Sequence, residues 1–202
     1  MCLLIETIRI ENGRLLNMTF HNERFNRSRK ELFGIKPESM LEGLISIPKN
    51  LPLGKIKCRV VYSREIKAVT FTPYILRKIQ TLQLVVANSV EYRYKFQDRH
   101  QLEKLTQNII ADDILIIKNG LITDTSYANI IFWDGIKWIT PSSPLLAGTM
   151  RSRLLQEGKI QTCEIKKSDL RLFKSAKIIN AMIGLEESPV ICIKNISESK
   201  MI

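Results

Sequence analysis

Ile114-Leu115-Ile116-Ile117-Lys118-Asn119-Gly120-Leu121-Ile122-Thr123-Asp124-Thr125 is the stretch that decides the fold class. Two β-branched runs, Ile114 to Lys118 and Leu121 to Thr125, flank Asn-Gly, a dipeptide that tolerates the positive φ angles of a two-residue hairpin turn. The pattern repeats at once, because Asn129 to Trp133 and Ile136 to Thr140 flank Asp134-Gly135. Two hairpins in tandem predict an antiparallel sheet. Pro141 and Pro144 close it, Ala147-Gly148-Thr149-Met150-Arg151 opens a helix reaching Gln156, and Gly158 stops that helix. Ser168 starts a further short helix, and Ala176 to Ile183 and Pro189 to Ile193 are predicted as the final strands. The C-terminal part is therefore expected to be sheet with helices packed on it.

Upstream, Leu3 to Ile10 alternates apolar and polar residues, Glu11-Asn12-Gly13-Arg14 supplies a turn, and Leu15 to Phe20 resumes an extended pattern. From Asn22 the sequence turns helical, with Phe25, Leu32 and Phe33 as its apolar stripe and Gly34 as its stop. Pro37 suits a first helical position for a short helix over Met40 to Ile45 that ends near Pro48. Lys55 to Tyr62, Ile66 to Phe71 and Leu82 to Ala87 are rich in β-branched residues and predict three strands. These elements define an expected first domain at 1–87, a polar linker at 88–94, and a second domain at 95–202 that begins with a helix through Leu102 and Leu105.

Composition bounds the function class. At 202 residues and 45% hydrophobic, the chain can bury a real core. Its longest apolar runs are far too short to span a bilayer, and Met1-Cys2-Leu3-Leu4 lacks the basic region and cleavage site of a secretion signal, so a cytoplasmic protein without a membrane partner is expected. Cys2, Cys58, Cys163 and Cys192 are widely spaced and have only His21 and His100 as imidazole partners, which argues against a zinc site or a disulfide framework. The formal charge of +11 is scattered along the chain apart from Arg24, Arg27, Arg29 and Lys30. No nucleic-acid motif accompanies it, so a solvated basic surface is the expectation and a small anionic ligand the next reading.

Three places could carry chemistry. Lys95 lies between Tyr94 and Phe96 at the domain junction, where burial would depress its pKa and make the amine nucleophilic. Asp124 falls within an apolar strand, which predicts a buried, partnered carboxylate able to hold a protonated ring nitrogen, whereas Ser126 and Asn129 would ordinarily be hairpin polar groups. Gly148-Thr149-Met150 precedes a helix, whose first N–H groups form a ready anion site.

The order of these pieces resembles the class IV aminotransferase family, the fold-type IV pyridoxal-phosphate enzymes that include D-amino acid aminotransferase, branched-chain aminotransferase and 4-amino-4-deoxychorismate lyase. The resemblance spans nearly the whole chain. Ile5-Glu6-Thr7-Ile8-Arg9 with Asn12-Gly13 looks like the family's opening strand and turn, and His21-Asn22-Glu23-Arg24 like its His-x-x-Arg, whose arginine grips the cofactor phosphate. Tyr94-Lys95-Phe96-Gln97-Asp98-Arg99 resembles the segment of the cofactor-bearing lysine, with an arginine four residues on. Asp124 to Phe132 is similar to the strand bearing a glutamate beneath the pyridine ring, with an aspartate, one methylene shorter, in that place. Ala147-Gly148-Thr149-Met150-Arg151 resembles the second phosphate loop, and Asn180-Ala181-Met182 a third contact strand.

The resemblance implies a two-domain α+β fold, a small N-terminal α/β sandwich and a larger β-rich C-terminal domain, in a homodimer. It also implies pyridoxal 5'-phosphate as cofactor, Lys95 and Asp124 as catalytic residues, and Arg24, Ser126, Asn129, Gly148, Thr149, Met150, Asn180 and Ala181 as further cofactor contacts. The wording of the Ala-Gly-Thr-Met-Arg and Asn-Ala-Met segments is nearer the lyases than the transaminases, so pyruvate elimination from an amino-acid-like substrate is expected. A D-amino acid or branched-chain aminotransferase is the alternative, and a non-catalytic binding protein on the same scaffold is the third reading.

Overall fold

The computed structural model describes residues 2–36 and 38–198. The expectation at Pro37 lies outside these residues. The chain divides into two compact units: residues up to Leu76 together with Tyr94–Asp98 form the first, and Arg77–Arg93 with the chain from Arg99 onward forms the second.

The first unit contains β1 (Leu4–Glu11), β2 (Arg14–Leu15), α1 (Met18–Phe33), α2 (Leu41–Leu44), β3 (Ile56–Tyr62) and β4 (Ile66–Pro73). Its sheet is antiparallel in the order β2-β1-β3-β4. Because side chains alternate faces along a strand, Leu4, Glu6, Ile8 and Ile10 share one side of β1, opposite Tyr62, Val60, Cys58 and Ile56 of β3. All eight of these residues are buried, and Phe25 of α1 and Leu41 of α2 complete their cluster. The rings of Phe25 and Tyr62 lie 4.7 Å apart.

Two expectations change in this unit. The extended run predicted for Leu15 to Phe20 ends at Leu15, because α1 starts at Met18 after Asn17 adopts a left-handed conformation. Of the predicted apolar stripe of α1, Phe25 lies in the core and Phe33 packs against it, and polar residues share the buried face. Its buried residues are His21, Asn22, Arg24, Phe25 and Ser28, at the spacing of one helical face, while Leu32 is exposed. The helix turns polar side chains inward because the sheet beneath it carries a buried acid at Glu6.

The second unit contains β5 (Leu82–Val86), α3 (His100–Leu105), β6 (Asp113–Lys118), β7 (Leu121–Thr125), β8 (Asn129–Trp133), β9 (Trp138–Pro141), α4 (Thr149–Gln156), β10 (Ile160–Cys163), β11 (Ser175–Ile179), β12 (Ile191–Cys192) and β13 (Ile196–Ser197). The main path of its sheet runs β10-β9-β8-β7-β6-β5-β13, with β11 pairing β8 and β12. Both predicted hairpins are present. Asn119 and Gly120 take φ angles of 51° and 80°, the doubly positive pair that a two-residue turn between twisted strands requires.

The sheet is mixed rather than antiparallel throughout. β5 runs parallel to β6, β13 parallel to β5, and β10 parallel to β9. Leu82 to Ala87 was expected in the first domain, with a boundary after residue 87 and a linker at 88–94. The strand instead pairs Leu82 with Asp113 and Val86 with Ile117, while Tyr94–Asp98 returns to the first unit. A parallel neighbour is reached by a long crossover and leaves no turn signal beside the strand. The short parallel strand β10 was not anticipated, and the strand predicted for Ala176 to Ile183 stops at Ile179. Met150 and Leu154 of α4 pack with Ile131, Ile160 and Ile179, which seats the helix on this sheet. Among the described residues no helix is long and apolar enough to cross a membrane.

Candidate active site

In the first unit, Glu6 is the centre of a buried polar cluster. Its Oε1 accepts from Arg24 Nε at 2.8 Å and its Oε2 from Arg24 Nη2 at 2.6 Å. Oε2 also lies 2.6 Å from His21 Nδ1, and Glu6 and His21 are both fully buried. Burial would push the Glu6 carboxyl up, but the Arg24 guanidinium and the His21 hydrogen bond prevail and hold it down at about 2. Burial also lowers the His21 pKa, with Arg24 and Lys95 adding to that effect against Glu6. A neutral imidazole facing an ionised carboxylate must carry its proton on Nδ1, so His21 donates to Glu6. The Glu6–Arg24 pair is formally neutral and geometrically fixed.

Lys95 belongs to the same unit. Its carbonyl accepts from the Ile5 N–H at 2.9 Å, and the Gln97 N–H donates to the Leu3 carbonyl at 2.8 Å. Leu4 is bridged to Phe96 in antiparallel register, which places Ile5 opposite Lys95. The lysine is half-buried rather than enclosed.

In the second unit the organising side chain is Asn129. It is paired across β7 and β8 with Asp124 and across β8 and β11 with Ile179. Its Nδ2 donates to Asp124 Oδ1 at 2.7 Å and to the Leu146 carbonyl at 2.9 Å. Asp124 Oδ2 accepts from the Leu146 N–H at 3.0 Å. Asp124 and Asn129 are each 5% exposed, so the expectation of a buried, partnered carboxylate holds. Burial pushes the Asp124 carboxyl up to about 6, although the Leu146 N–H, Asn129 and the nearby Arg151 guanidinium all favour its charged form.

Gly148 borders Asn129 so closely that a Cβ at that position would come within 2.1 Å of Asn129 Oδ1. Only glycine fits there. Thr149, Met150 and Arg151 follow as the buried first turn of α4, and Arg151 donates from Nη2 to the Pro141 carbonyl at 2.8 Å and from Nε to Thr140 Oγ1 at 3.3 Å. Asn180 and Ala181 belong to a turn directly after Ile179. The Asn180 and Ile183 backbones exchange two hydrogen bonds, and Asn180 Oδ1 accepts from the Met182 N–H at 2.8 Å. Ser126 follows β7, where its carbonyl accepts from Arg99 Nη2 at 2.5 Å.

The second unit thus gathers Asp124, Asn129 and Gly148 through direct contacts, with Thr149 next in the chain and Asn180 and Ala181 one strand further along. The first unit gathers Arg24 with Glu6 and His21. Two of these residues escaped sequence reasoning, although a signal existed. Glu6 stands in the inward row of an alternating strand, where a charge demands a buried partner, and His21 and Arg24 stand three residues apart on one helical face.

The model of the Amino-transferase class IV family matches residues 3–187. An uncharacterized protein of Haemophilus influenzae is 42% identical over 185 residues, covering 90% of this chain and 98% of that one. A proposed 4-amino-4-deoxychorismate lyase of Haemophilus somnus superposes with a TM-score of 0.83 at 34% identity, covering 91% of this chain and 98% of that chain. A Mesorhizobium loti structure, a proposed amino-acid aminotransferase, shares the fold with a TM-score of 0.78 at 24% identity, over 94% of this chain and 97% of that one. With the family pattern matched over residues 3–187, the chain belongs to the class IV aminotransferase family.

Proposed function

We propose that the chain is a pyridoxal-phosphate enzyme of the 4-amino-4-deoxychorismate lyase type, eliminating pyruvate from an amino-acid-like substrate. The observation that carries the cofactor reading is Asp124, a buried carboxylate whose ionisation is opposed by burial and which therefore gains from a cationic partner such as a protonated pyridine nitrogen. The chemistry of each proposed donor suits the group. Lys95 supplies the amine that binds its aldehyde carbon, Asp124 the partner of its ring nitrogen, and the Thr149 and Met150 N–H groups at the start of α4 a place for its phosphate. Arg24, held in orientation by Glu6, is the further residue proposed for the same phosphate. Ser126, Asn129, Gly148, Asn180 and Ala181 complete the proposed contacts.

When bound, the cofactor accepts the electron pair released at the substrate Cα. Lys95 would remove the proton at Cα and deliver it to the departing enolpyruvyl group, which leaves as pyruvate. Asp124 holds the proton on the ring nitrogen while that charge develops. The lyase reading is supported by likeness to the proposed Haemophilus somnus lyase across nearly the whole of both chains.

The test is direct. The purified protein is incubated with pyridoxal phosphate, reduced with borohydride, and mapped for modification of Lys95; it is then assayed for pyruvate release from aminodeoxychorismate with no keto acid added. Absence of trapping on Lys95 overturns the cofactor reading. Trapping without pyruvate release, together with amine transfer to a keto acid, overturns the lyase reading in favour of a transaminase.

A further inference from the structure

The Asp124 carboxylate has a second structural partner besides the ring proposed for it: the loop that leads into α4. Its Oδ2 is engaged from that loop by the Leu146 N–H, and its Oδ1 from the neighbouring strand by an Asn129 amide that also donates to the Leu146 carbonyl. Both N–H groups of the Asn129 amide are therefore committed. Turning that amide over would set its oxygen against the Asp124 carboxylate and the Leu146 carbonyl, two acceptors, so the charge on Asp124 fixes which way the amide faces. In the orientation so fixed, Asn129 Oδ1 rests against Gly148, the residue before the first turn of α4.

We infer that Asp124 is a positioning residue for phosphate binding, acting through Asn129 and Gly148 to set where the Thr149 and Met150 N–H groups point. This rests on the functional reading above and assigns Asp124 a task independent of the pyridine ring. One carboxylate then serves both ends of the cofactor, and its buried charge is justified even in the absence of a ring. An aspartate suits the task, since a short side chain keeps the carboxylate beside its own strand and within reach of Asn129 and Leu146.

Inorganic phosphate tests this, because it has no ring. Its affinity is measured by phosphorus NMR titration of the wild type, Asp124→Asn and Gly148→Ala, beside the affinity for pyridoxal, which has the ring and no phosphate. Asp124→Asn removes a negative charge from the neighbourhood of an anion site, so Coulomb's law alone predicts tighter phosphate binding. The positioning role predicts the opposite: a loss of about tenfold or more, a comparable loss in Gly148→Ala, and faster hydrogen exchange at the Leu146 amide in Asp124→Asn while β6 and β8 keep their protection.

Unchanged or tighter phosphate binding in Asp124→Asn, with pyridoxal binding weakened, overturns the inference and leaves Asp124 as a ring partner only. If Asp124→Asn does not fold, Gly148→Ala decides, since unchanged phosphate affinity in that variant overturns the inference by itself. Wild-type protein that binds phosphate and pyridoxal phosphate on residues other than these overturns the inference alone, whereas wild-type protein that binds neither overturns the functional reading with it.

Discussion

Arg24 and Glu6 form a two-point ion pair, Nε to Oε1 at 2.8 Å and Nη2 to Oε2 at 2.6 Å, at a place where Arg24 is 5% exposed and Glu6 not at all. The arginine proposed for phosphate is thus held in one orientation by a carboxylate from the first strand. A pair so buried resists the loss of either member more than its own net contribution would suggest.

Glu6→Leu should therefore destabilise the protein by about 3–5 kcal/mol, because it leaves the Arg24 charge buried without its carboxylate. Adding Arg24→Leu should recover part of that loss. Urea denaturation of the two single variants and the double variant measures the coupling; equal and additive losses would show that the pair acts as two independent side chains. The wild type should also lose stability in acid. The Glu6 value in the folded protein, about 2, lies below its ordinary 4.5, so the stabilisation is fully present above 4.5 and disappears as pH falls toward 2.

Asp124 should contribute a slope of opposite sign. Its folded value of about 6 lies above the ordinary 3.8, so the protonated form is favoured by folding; that stabilisation is complete below 3.8 and is lost as pH rises through 6. Between pH 4.5 and 6 the cofactor-free protein should become less stable through this group, and Asp124→Asn should flatten the slope. Denaturant titrations at half-unit pH intervals give the comparison, and an identical slope in the variant would assign it to another residue.

Arg151 should tune the same carboxylate. Its guanidinium favours the charged form of Asp124, so Arg151→Met should move the Asp124 midpoint above the wild-type value of about 6. Carbon-13 carboxyl NMR follows that midpoint residue by residue. The variant also loses the hydrogen bond to the Pro141 carbonyl, which should lower stability by about 1–3 kcal/mol.

Gly120→Ala should weaken the first hairpin of the second unit. Gly120 sits at φ 80°, a conformation that costs an L-residue about 1–2 kcal/mol. Hydrogen exchange should rise at the β6–β7 turn, and an effect confined to the first unit would contradict the assignment.

Much of the second unit was legible because its signals are local. Asn119-Gly120 specifies its turn within two residues, Asp134-Gly135 opens a four-residue turn that Ile136 and Lys137 complete, and Gly148 with Gly158 bracket α4 as expected. Asp124 could be singled out because a charge within an apolar strand is anomalous on its face. The first unit was less transparent. Hydrophobic periodicity assigned Leu32 to the inner stripe of α1, while the structure turns His21, Arg24 and Ser28 inward and leaves Leu32 exposed. An inward polar face reads as an outward one until its partner across the interface is known.

By itself the sequence determined most of the strands, the Asn119-Gly120 turn, the start of α4 and the order of the family's segments, since each depends on the conformational preferences of a few neighbouring residues. Tertiary structure alone decided that β5 joins β6 and that Tyr94–Asp98 lies along β1. It also decided that Glu6 meets Arg24 and that Asp124 reaches the Leu146 N–H 22 residues on. These pairings join distant parts of the chain, and their free energy comes from hydrogen bonds and charges sheltered from water, a shelter that exists only once the chain has folded.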